Sequence, residues 1–398
     1  MIEDSEPSKA QRFLSLLQQR AHRYMTAEFA EQFNRLMRAK ALEFIGDEYS
    51  ADLTNEAIEE FSIDHRNSHR RPHDVTLVPA VISELESGIR AHGAEGAHLL
   101  PEHPPTLGTL RTGQINAMTI AVPRSNEFVV ILEEGLFSLG VMLTHAIAPA
   151  YATLGSNGID TDQTRIAGRL DQDEEAIQLF ANMLLSFVQR GRMQEFSFAE
   201  EHRHLATNLS YGMWKFIVGH EYGHIVNGDL NGSIRAKWAI VDENVDIVDH
   251  SWEREFAADE HGLEMSLLSM TPTDSQNTRE GIKMLFATGG GDIFFTVIDI
   301  MDRATSLLRT GREGCLTLGS HPPARQRRSA YRRHMNRMLE VDPASGSHSE
   351  NHAKIFHQFA EYLEVSAEQL WLRTRPHLIA AHKAGVRPAA SWRQTSVS

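Results

Sequence analysis

The five residues HEYGH, at positions 220–224, constrain this chain more than any other part of its sequence. On a helix, residues four apart share a face, so His220 and His224 can bind one metal ion while Glu221 lies beside its open coordination position. The surrounding run is apolar, and burying two imidazoles and a carboxylate there is costly unless they are compensated. We therefore predict a metal site, the alternative being a pair of satisfied histidines on the flank of a helix.

A segment that begins at residue 252, WEREFAADEHG, contains the acids that can provide a third ligand. A catalytic zinc commonly has two histidines and one glutamate as protein ligands and keeps a fourth position for water. If a helix spans 253–270, Glu255 and Asp259 lie on one face. We predict that Glu255 binds the metal, with Glu253 and Glu260 as the alternatives, and that Asp259 accepts the outward N–H of a ligating imidazole.

Together these two segments resemble the zinc-binding motifs of the gluzincin metallopeptidases of the HtpX and CAAX-prenyl endopeptidase type. A third stretch, GSHPPARQRRSAY from Gly319 to Tyr331, resembles the family's His-Pro-Pro segment and the arginine that follows it, here His321 and Arg327. The resemblance covers about residues 115–331. It implies an α+β, mainly helical fold, in which a zincin-like domain contains the HExxH helix, a small sheet with an edge strand and added helical regions.

The resemblance also implies roles for residues outside the two zinc motifs. His321 is expected either to stabilise the oxyanion or to bind zinc as a fourth ligand in a resting state, and the alternative is a histidine that only begins a Pro-Pro turn. Arg327 is expected next to the ligands. Ile115, Asn116 and Ala117 resemble the strand that borders the family's cleft. We expect an extended peptide to bind along this strand, because pairing with a sheet edge demands little of the peptide's sequence.

Together these expectations predict a zinc-dependent endopeptidase whose substrate is a protein or a peptide. One Zn²⁺ per chain is expected, bound by His220, His224 and Glu255. Glu221 is the predicted general base, which takes a proton from the activated water and passes it to the leaving amine. The main alternative is a zinc-containing regulatory or binding protein with a covered, inactive site, such as a stress or host-defence factor that acts on one specific protein.

The rest of the chain is predicted to be largely helical and to fall into three regions. They are a helical N-terminal region (1–110), the metallopeptidase domain (111–340) and a helical C-terminal extension (341–398), with an insertion at about 145–203 that is a candidate lid. Hydrophobic periodicity predicts helices between 8 and 60, over 75–92, from about 134, and over 174–189, 205–226, 253–270, 282–308 and 353–383. We expect a loop at 64–74, a break at glycines 289–291, a hairpin at 115–132 and irregular chain at 91–108 and 229–251.

The amino-acid composition limits which partners and which cellular compartment are expected for this chain. Asp and Glu number 53 against 39 Lys and Arg, a net charge of -14 that argues against a nucleic-acid surface over the whole molecule. A local cluster of six arginines between 325 and 337 keeps nucleic acid as an alternative partner. Charges interrupt every long apolar stretch, so no membrane span is expected. With one cysteine and no secretory signal at the start, the chain is expected to be cytoplasmic. The oligomeric state is left open.

Overall fold

A computed structural model describes most of the 398 residues. The described ranges are 6–23, 77–110, 115–151, 162–190, 202–232, 234–238, 243–247, 251–270, 278–314, 321–340 and 348–388. The predicted loop at 64–74 and most of the helices predicted between 8 and 60 lie outside these ranges. Residues 162–190, about half of the predicted insertion, lie within them, so the packing of this part can be described.

Helices dominate the described part of the chain, as predicted. In chain order they are α1 (Lys9–Arg23), α2 (Val78–Ala91), α3 (Ala94–Ala97), α4 (Glu134–Tyr151), α5 (Gln163–Gln172), α6 (Glu174–Arg190), α7 (Arg203–Val226), α8 (Trp252–Met270), α9 (Thr278–Thr310), α10 (Ala324–Glu340) and α11 (His348–Lys383). The helices predicted from hydrophobic periodicity over 75–92, 174–189, 205–226, 253–270 and 353–383 are therefore confirmed to within a few residues.

A small sheet accompanies the helices. Its strands are β1 (Thr106–Leu110), β2 (Ala117–Ala121), β3 (Phe128–Glu133), β4 (Ile234–Trp238) and β5 (Glu243–Ile247), in the spatial order β1-β3-β2-β5-β4. Strand β1 is parallel to β3, and the other pairs are antiparallel. The predicted hairpin is confirmed as β2 and β3, and α4 follows it directly at Glu134.

Two segments that were expected to be irregular contain regular structure. Within 91–108 the prediction is wrong at Ala94–Ala97, which form α3, and from Thr106 onward, because β1 pairs with β3, a strand about twenty residues later in the chain. Within 229–251 it is wrong for β4 and β5, which form an antiparallel pair. The apolar residues of IRAKW alternate with polar ones, which is the period of a strand, but the acidic residues around them obscured that pattern.

The two faces of the sheet contribute to different hydrophobic clusters. Successive side chains of a strand point to opposite faces, so Val130 and Leu132 of β3 join the main core while Val129 and Ile131 pack under α1. The main core includes side chains from Val78 to Leu378 and thus draws on all three predicted regions. Helix α2 of the N-terminal region and helix α11 of the C-terminal extension therefore share one core with the helix of the HEYGH motif.

Helix α9 runs through the glycines at 289–291 without the predicted break. The reason is its packing against α7, since a Cβ on Gly290 would come within 2.3 Å of the carbonyl oxygen of Gly212. Part of this helix, Met284–Thr310, is long and apolar enough to cross a membrane, but 78% of its apolar 18-residue window is buried inside the protein. Buried core helices meet the same criteria, so the segment is weak evidence for a span.

The described part of the predicted insertion lies in the core. Helices α5 and α6 pack against α4 and α11, and their apolar faces, which include Leu170, Phe180 and Phe187, are buried. A lid must separate from the body of the protein, and helices with faces buried in the core cannot do so without exposing them. The lid prediction is therefore wrong for residues 162–190.

Candidate metal centre

Helix α7 carries the HEYGH motif through the interior. Nearly every residue from Leu209 to His224 is buried, as expected for a helix that is apolar on most of its surface. It ends at Val226, and Gly228 follows with a φ of 69°, a left-handed conformation that suits glycine at a helix C-terminus. The chain then turns into a short 3₁₀ helix that begins at Asp229.

Close packing of α7 on α8 brings the two predicted halves of the site together. Gly262 of α8 lies directly on α7, because a Cβ there would be 2.9 Å from the carbonyl oxygen of Phe216 and 3.0 Å from the amide nitrogen of His220. Only glycine permits this approach without displacing the helices. As a consequence Glu255 and Asp259, which lie on the buried face of α8, face the histidines of α7.

His220, His224 and Glu255 form a group that could hold a metal ion. One ligand atom from each lies within 4.8 Å of the other two, and all three residues are buried. The Nε2 atoms of both histidines are 3.8 Å from a carboxylate oxygen of Glu255. Glu253 is exposed, and Glu260 lies 2.8 Å from Arg337, so the structure brings neither of the alternative acids into this group.

A carboxylate holds the outward nitrogen of each histidine. Nδ1 of His220 is 3.0 Å from Oδ1 of Asp259, the arrangement predicted from the sequence. Nδ1 of His224 is 2.8 Å from Oδ2 of Asp229, a contact that was not predicted, since Asp229 begins the segment that was expected to be irregular chain. Acceptors at Nδ1 select the tautomer and ring orientation that present Nε2 to a metal.

The carboxylates around His224 stabilise the protonated form of its imidazole. Burial disfavours its charged form, but the hydrogen bond with Asp229 and the charges of Glu221 and Glu255 outweigh burial and raise the pKa of His224 above its usual value. The imidazole is thus surrounded by negative charge, which a divalent cation bound to this group would compensate.

Arg327 lies beneath the group in a fully buried ion-pair cluster. Its Nε and Nη2 bind both oxygens of Asp259, at 2.8 and 2.6 Å, and its Nη1 lies 3.1 Å from Oε2 of Glu255. Its guanidinium also lies over the rings of Phe294 and Phe295. Burial opposes the ionised forms, but the mutual attraction prevails, so the pKa of Asp259 is lowered and that of Arg327 is raised.

The side chain of Glu221 points towards the sheet and contacts strand β2. The hydroxyl of Thr119 in β2 donates to Oε2 of Glu221 at 2.7 Å. Ile115, Asn116 and Ala117, the predicted substrate-binding residues, lie at the start of this strand and are partly exposed. The strand is not a free edge along its whole length, because β5 pairs with it at Ile120. The expectation that a peptide pairs with a sheet edge along this strand is therefore wrong at Ile120.

His321 precedes the first turn of α10 and reaches the metal group. Its Nδ1 lies 3.1 Å from Oε1 of Glu255, and its side chain is 40% exposed. The candidate ligands and Glu221 are covered: His220 is 6% exposed, His224 1%, Glu255 0% and Glu221 3%. Among the residues in contact with Glu255, His321 thus forms the boundary between the buried group and solvent.

The arginine cluster is largely occupied by partners within the chain. Arg325 binds Asp299, Arg327 binds Asp259 and Glu255, Arg328 binds Glu364, Arg332 binds Asp292 and Glu364, and Arg337 binds Glu260. These ion pairs connect α10 with α8, α9 and α11. The cluster therefore has a structural role in holding α10, the helix that places Arg327.

Comparison of the chain with protein-family models, with curated proteins and with solved structures finds no match. What can be said about function therefore depends on the geometry of this group of residues.

Proposed function

We propose that this chain is a zinc-dependent endopeptidase that hydrolyses peptide bonds of a protein substrate. The observation that carries the proposal is the convergence of His220, His224 and Glu255 beside Glu221, whose carboxylate contacts strand β2 at Thr119. Each of these groups alone has ordinary structural explanations. Two imidazoles and a carboxylate with a fourth, non-ligating carboxylate next to them are the groups that metal-assisted hydrolysis requires.

The donor set fits zinc. Two imidazole nitrogens and one carboxylate are the ligands of many catalytic zinc sites, which keep one position for water. Both histidines have a carboxylate at Nδ1, as ligating histidines usually do. Among the described residues the buried acids outnumber the arginines paired with them, since Glu255 and Asp259 bind Arg327, Asp229 lies near Arg254, and Glu221 is buried as well. A divalent cation balances this excess.

When bound, a zinc ion supplies Lewis-acid chemistry: it lowers the pKa of a water molecule and polarises the scissile carbonyl. The residues of the chain do the rest. Glu221 accepts the proton of the attacking water on its carboxylate and delivers it to the leaving amine. Asp229 and Asp259 keep the imidazoles in one tautomer, and Arg327 fixes Asp259 and Glu255. His321 lies where it can donate a hydrogen bond to the oxyanion.

One observation favours the second candidate, a zinc-containing regulatory protein with a covered site. The ligands and Glu221 are buried, and the imidazole of His321 contacts Glu255 directly. In that case His321 blocks the centre rather than assisting the reaction. His321→Ala separates the two, because loss of turnover with zinc retained supports the oxyanion role, whereas a gain of turnover supports a blocking role.

The experiment that tests the proposal measures zinc content and peptidase activity together. The wild type, Glu221→Gln and Glu255→Ala are purified and reconstituted with zinc, and cleavage of casein and of a peptide library is measured. We expect one zinc per chain in the wild type and in Glu221→Gln, much less in Glu255→Ala, and turnover in the wild type alone. Glu253→Gln is the matched control, since it changes an exposed acid of the same helix.

Two results contradict the proposal in different ways. A wild type that binds no zinc after reconstitution shows that the group is not a zinc site. A wild type that binds zinc but cleaves nothing favours the regulatory candidate if His321→Ala gains turnover, and shows that the centre is not a peptidase if His321→Ala is equally inert.

A further inference from the structure

Thr119 is a buried threonine that belongs neither to the ligands nor to the residues around them. It is 1% exposed and lies in the middle of β2, opposite Val130 of β3. Its neighbours Met118 and Ile120 pack into the cluster under α1, on the other face of the sheet. Because side chains alternate along a strand, Thr119 points to the face that α7 covers.

Within the described ranges, the hydroxyl of Thr119 hydrogen bonds with Glu221 alone. It lies 2.7 Å from the carboxylate oxygen Oε2 and 3.1 Å from the main-chain carbonyl oxygen of the same residue. A hydroxyl has one proton, and the carboxylate is both the nearer and the stronger acceptor. The hydrogen bond to Oε2 thus fixes one oxygen of the carboxylate and with it the torsions of the Glu221 side chain.

A threonine at this position has a cost that an apolar residue avoids. Burying a hydroxyl is unfavourable unless it is hydrogen bonded, and the strand otherwise consists of alanine, methionine and isoleucine. The contact also joins two elements that are distant in sequence, the strand beside the substrate and the helix of the base. Both facts indicate that position 119 carries a hydroxyl because this group binds Glu221.

We propose that Thr119 is a positioning residue for Glu221. Its hydroxyl holds Oε2 of the carboxylate so that the other oxygen, Oε1, is presented for proton transfer. This inference rests on the proposed function, since it assigns Thr119 to the base of that reaction. It adds that the strand bordering the substrate, and not only the helix with the motif, determines the orientation of the base.

The test compares substitutions that differ in the hydroxyl alone. Thr119→Val keeps the shape and removes the hydroxyl, whereas Thr119→Ser keeps the hydroxyl. Thr109→Val is the matched control, because Thr109 is an equally buried threonine in β1, which lies two strands away. In the zinc-loaded full-length protein we expect Thr119→Val to lower kcat about tenfold, with KM changed less than about twofold. Thr119→Ser and Thr109→Val should keep kcat within about twofold of the wild type.

A second readout needs neither zinc nor activity. In the metal-free protein, Tm is measured for the wild type, Thr119→Val, Glu221→Ala and the double variant. The hydrogen bond predicts that Thr119→Val lowers Tm by about 2 °C more in the wild-type background than in the Glu221→Ala background. If Thr119→Val does not fold, Thr119→Ala and Thr119→Ser replace the pair, because they too differ only in the hydroxyl.

Three outcomes overturn the assignment while leaving the proposed function intact. They are an unchanged kcat in Thr119→Val with an active wild type, a loss in Thr119→Ser as large as in Thr119→Val, and additive Tm changes in the double variant. A zinc-loaded wild type without turnover overturns the proposed function instead, and the Tm measurements then still decide whether Thr119 holds Glu221.

Discussion

Asp229 holds Nδ1 of His224 at 2.8 Å, across the turn that ends the helix of the motif. The contact resembles the one between Asp259 and His220, but it is formed by a different element of structure. The two histidines are therefore oriented independently, one from α8 and the other from the 3₁₀ helix after α7.

We expect Asp229→Asn to weaken zinc binding about 10- to 100-fold, because the amide is a poorer acceptor and no longer favours the required tautomer. The dissociation constant is measured by competition with a chelator of known affinity. Glu253→Gln serves as the control, since it removes one negative charge from an exposed position nearby. An affinity for Asp229→Asn equal to that of the control contradicts a role for this contact in metal binding.

Arg327 compensates two buried carboxylates at once. Its removal leaves Glu255 and Asp259, which are 0% and 1% exposed, without their cation. We therefore expect Arg327→Met to lower the free energy of unfolding of the metal-free protein by about 3–5 kcal/mol. Arg327→Lys should cost less, because it keeps the charge but cannot bind both oxygens of Asp259.

Urea denaturation measures these changes. Arg333→Gln is the matched control, since Arg333 is an exposed arginine of the same helix, and its effect should stay within about 0.5 kcal/mol. If Arg327→Met were as stable as this control, the buried ion-pair cluster would not contribute to folding as its geometry indicates.

His261 is a buried histidine behind the metal site, and its Nε2 lies 3.0 Å from the carbonyl oxygen of Leu99. Burial lowers the pKa of His261 from 6.5 to about 4, against the effect of that hydrogen bond. As the pH falls through this window, the unfolded chain takes up a proton that the folded chain does not. The contribution of His261 to stability is thus present above pH 6.5 and lost as the pH falls towards about 4.

His261→Gln removes the titrating group and keeps a donor for Leu99. Between about pH 7.5 and about pH 5 we expect the variant to lose about 2 kcal/mol less of its free energy of unfolding than the wild type does. Denaturation curves at the two pH values measure the difference, and His103→Gln, at an exposed position, is the control. Equal losses in the wild type and in His261→Gln would show that this residue is not protonated on unfolding.

The residues of the candidate site were predictable where the pattern is local. His220, Glu221 and His224 lie within five positions on one helix, and Glu255 and Asp259 lie within another, so helical geometry alone places them on common faces. The meeting of the two helices was also foreseeable, because buried charges need partners. Asp229 was missed although it lies five residues after His224, because an acid in a turn has no periodic signal.

Thr119 could not have been identified from the sequence, since nothing local distinguishes it from other threonines in strands. Strand β1 could not be predicted either, because its parallel partner is β3, which follows β2 in the chain. Nor could the continuity of α9, because its glycines suggest a break and only the close approach of α7 explains them. These features depend on contacts between residues far apart in sequence.

The sequence by itself thus determined the helices, the metal-binding residue types and their spacing, because periodicity and ligand chemistry are properties of short segments. The tertiary structure alone decided which carboxylate orients His224, which hydroxyl holds Glu221, how far β2 is open to a peptide and that the described part of the insertion is core. Hydrogen bonds and buried ion pairs act over about 3 Å, so they are set by how whole helices and strands pack.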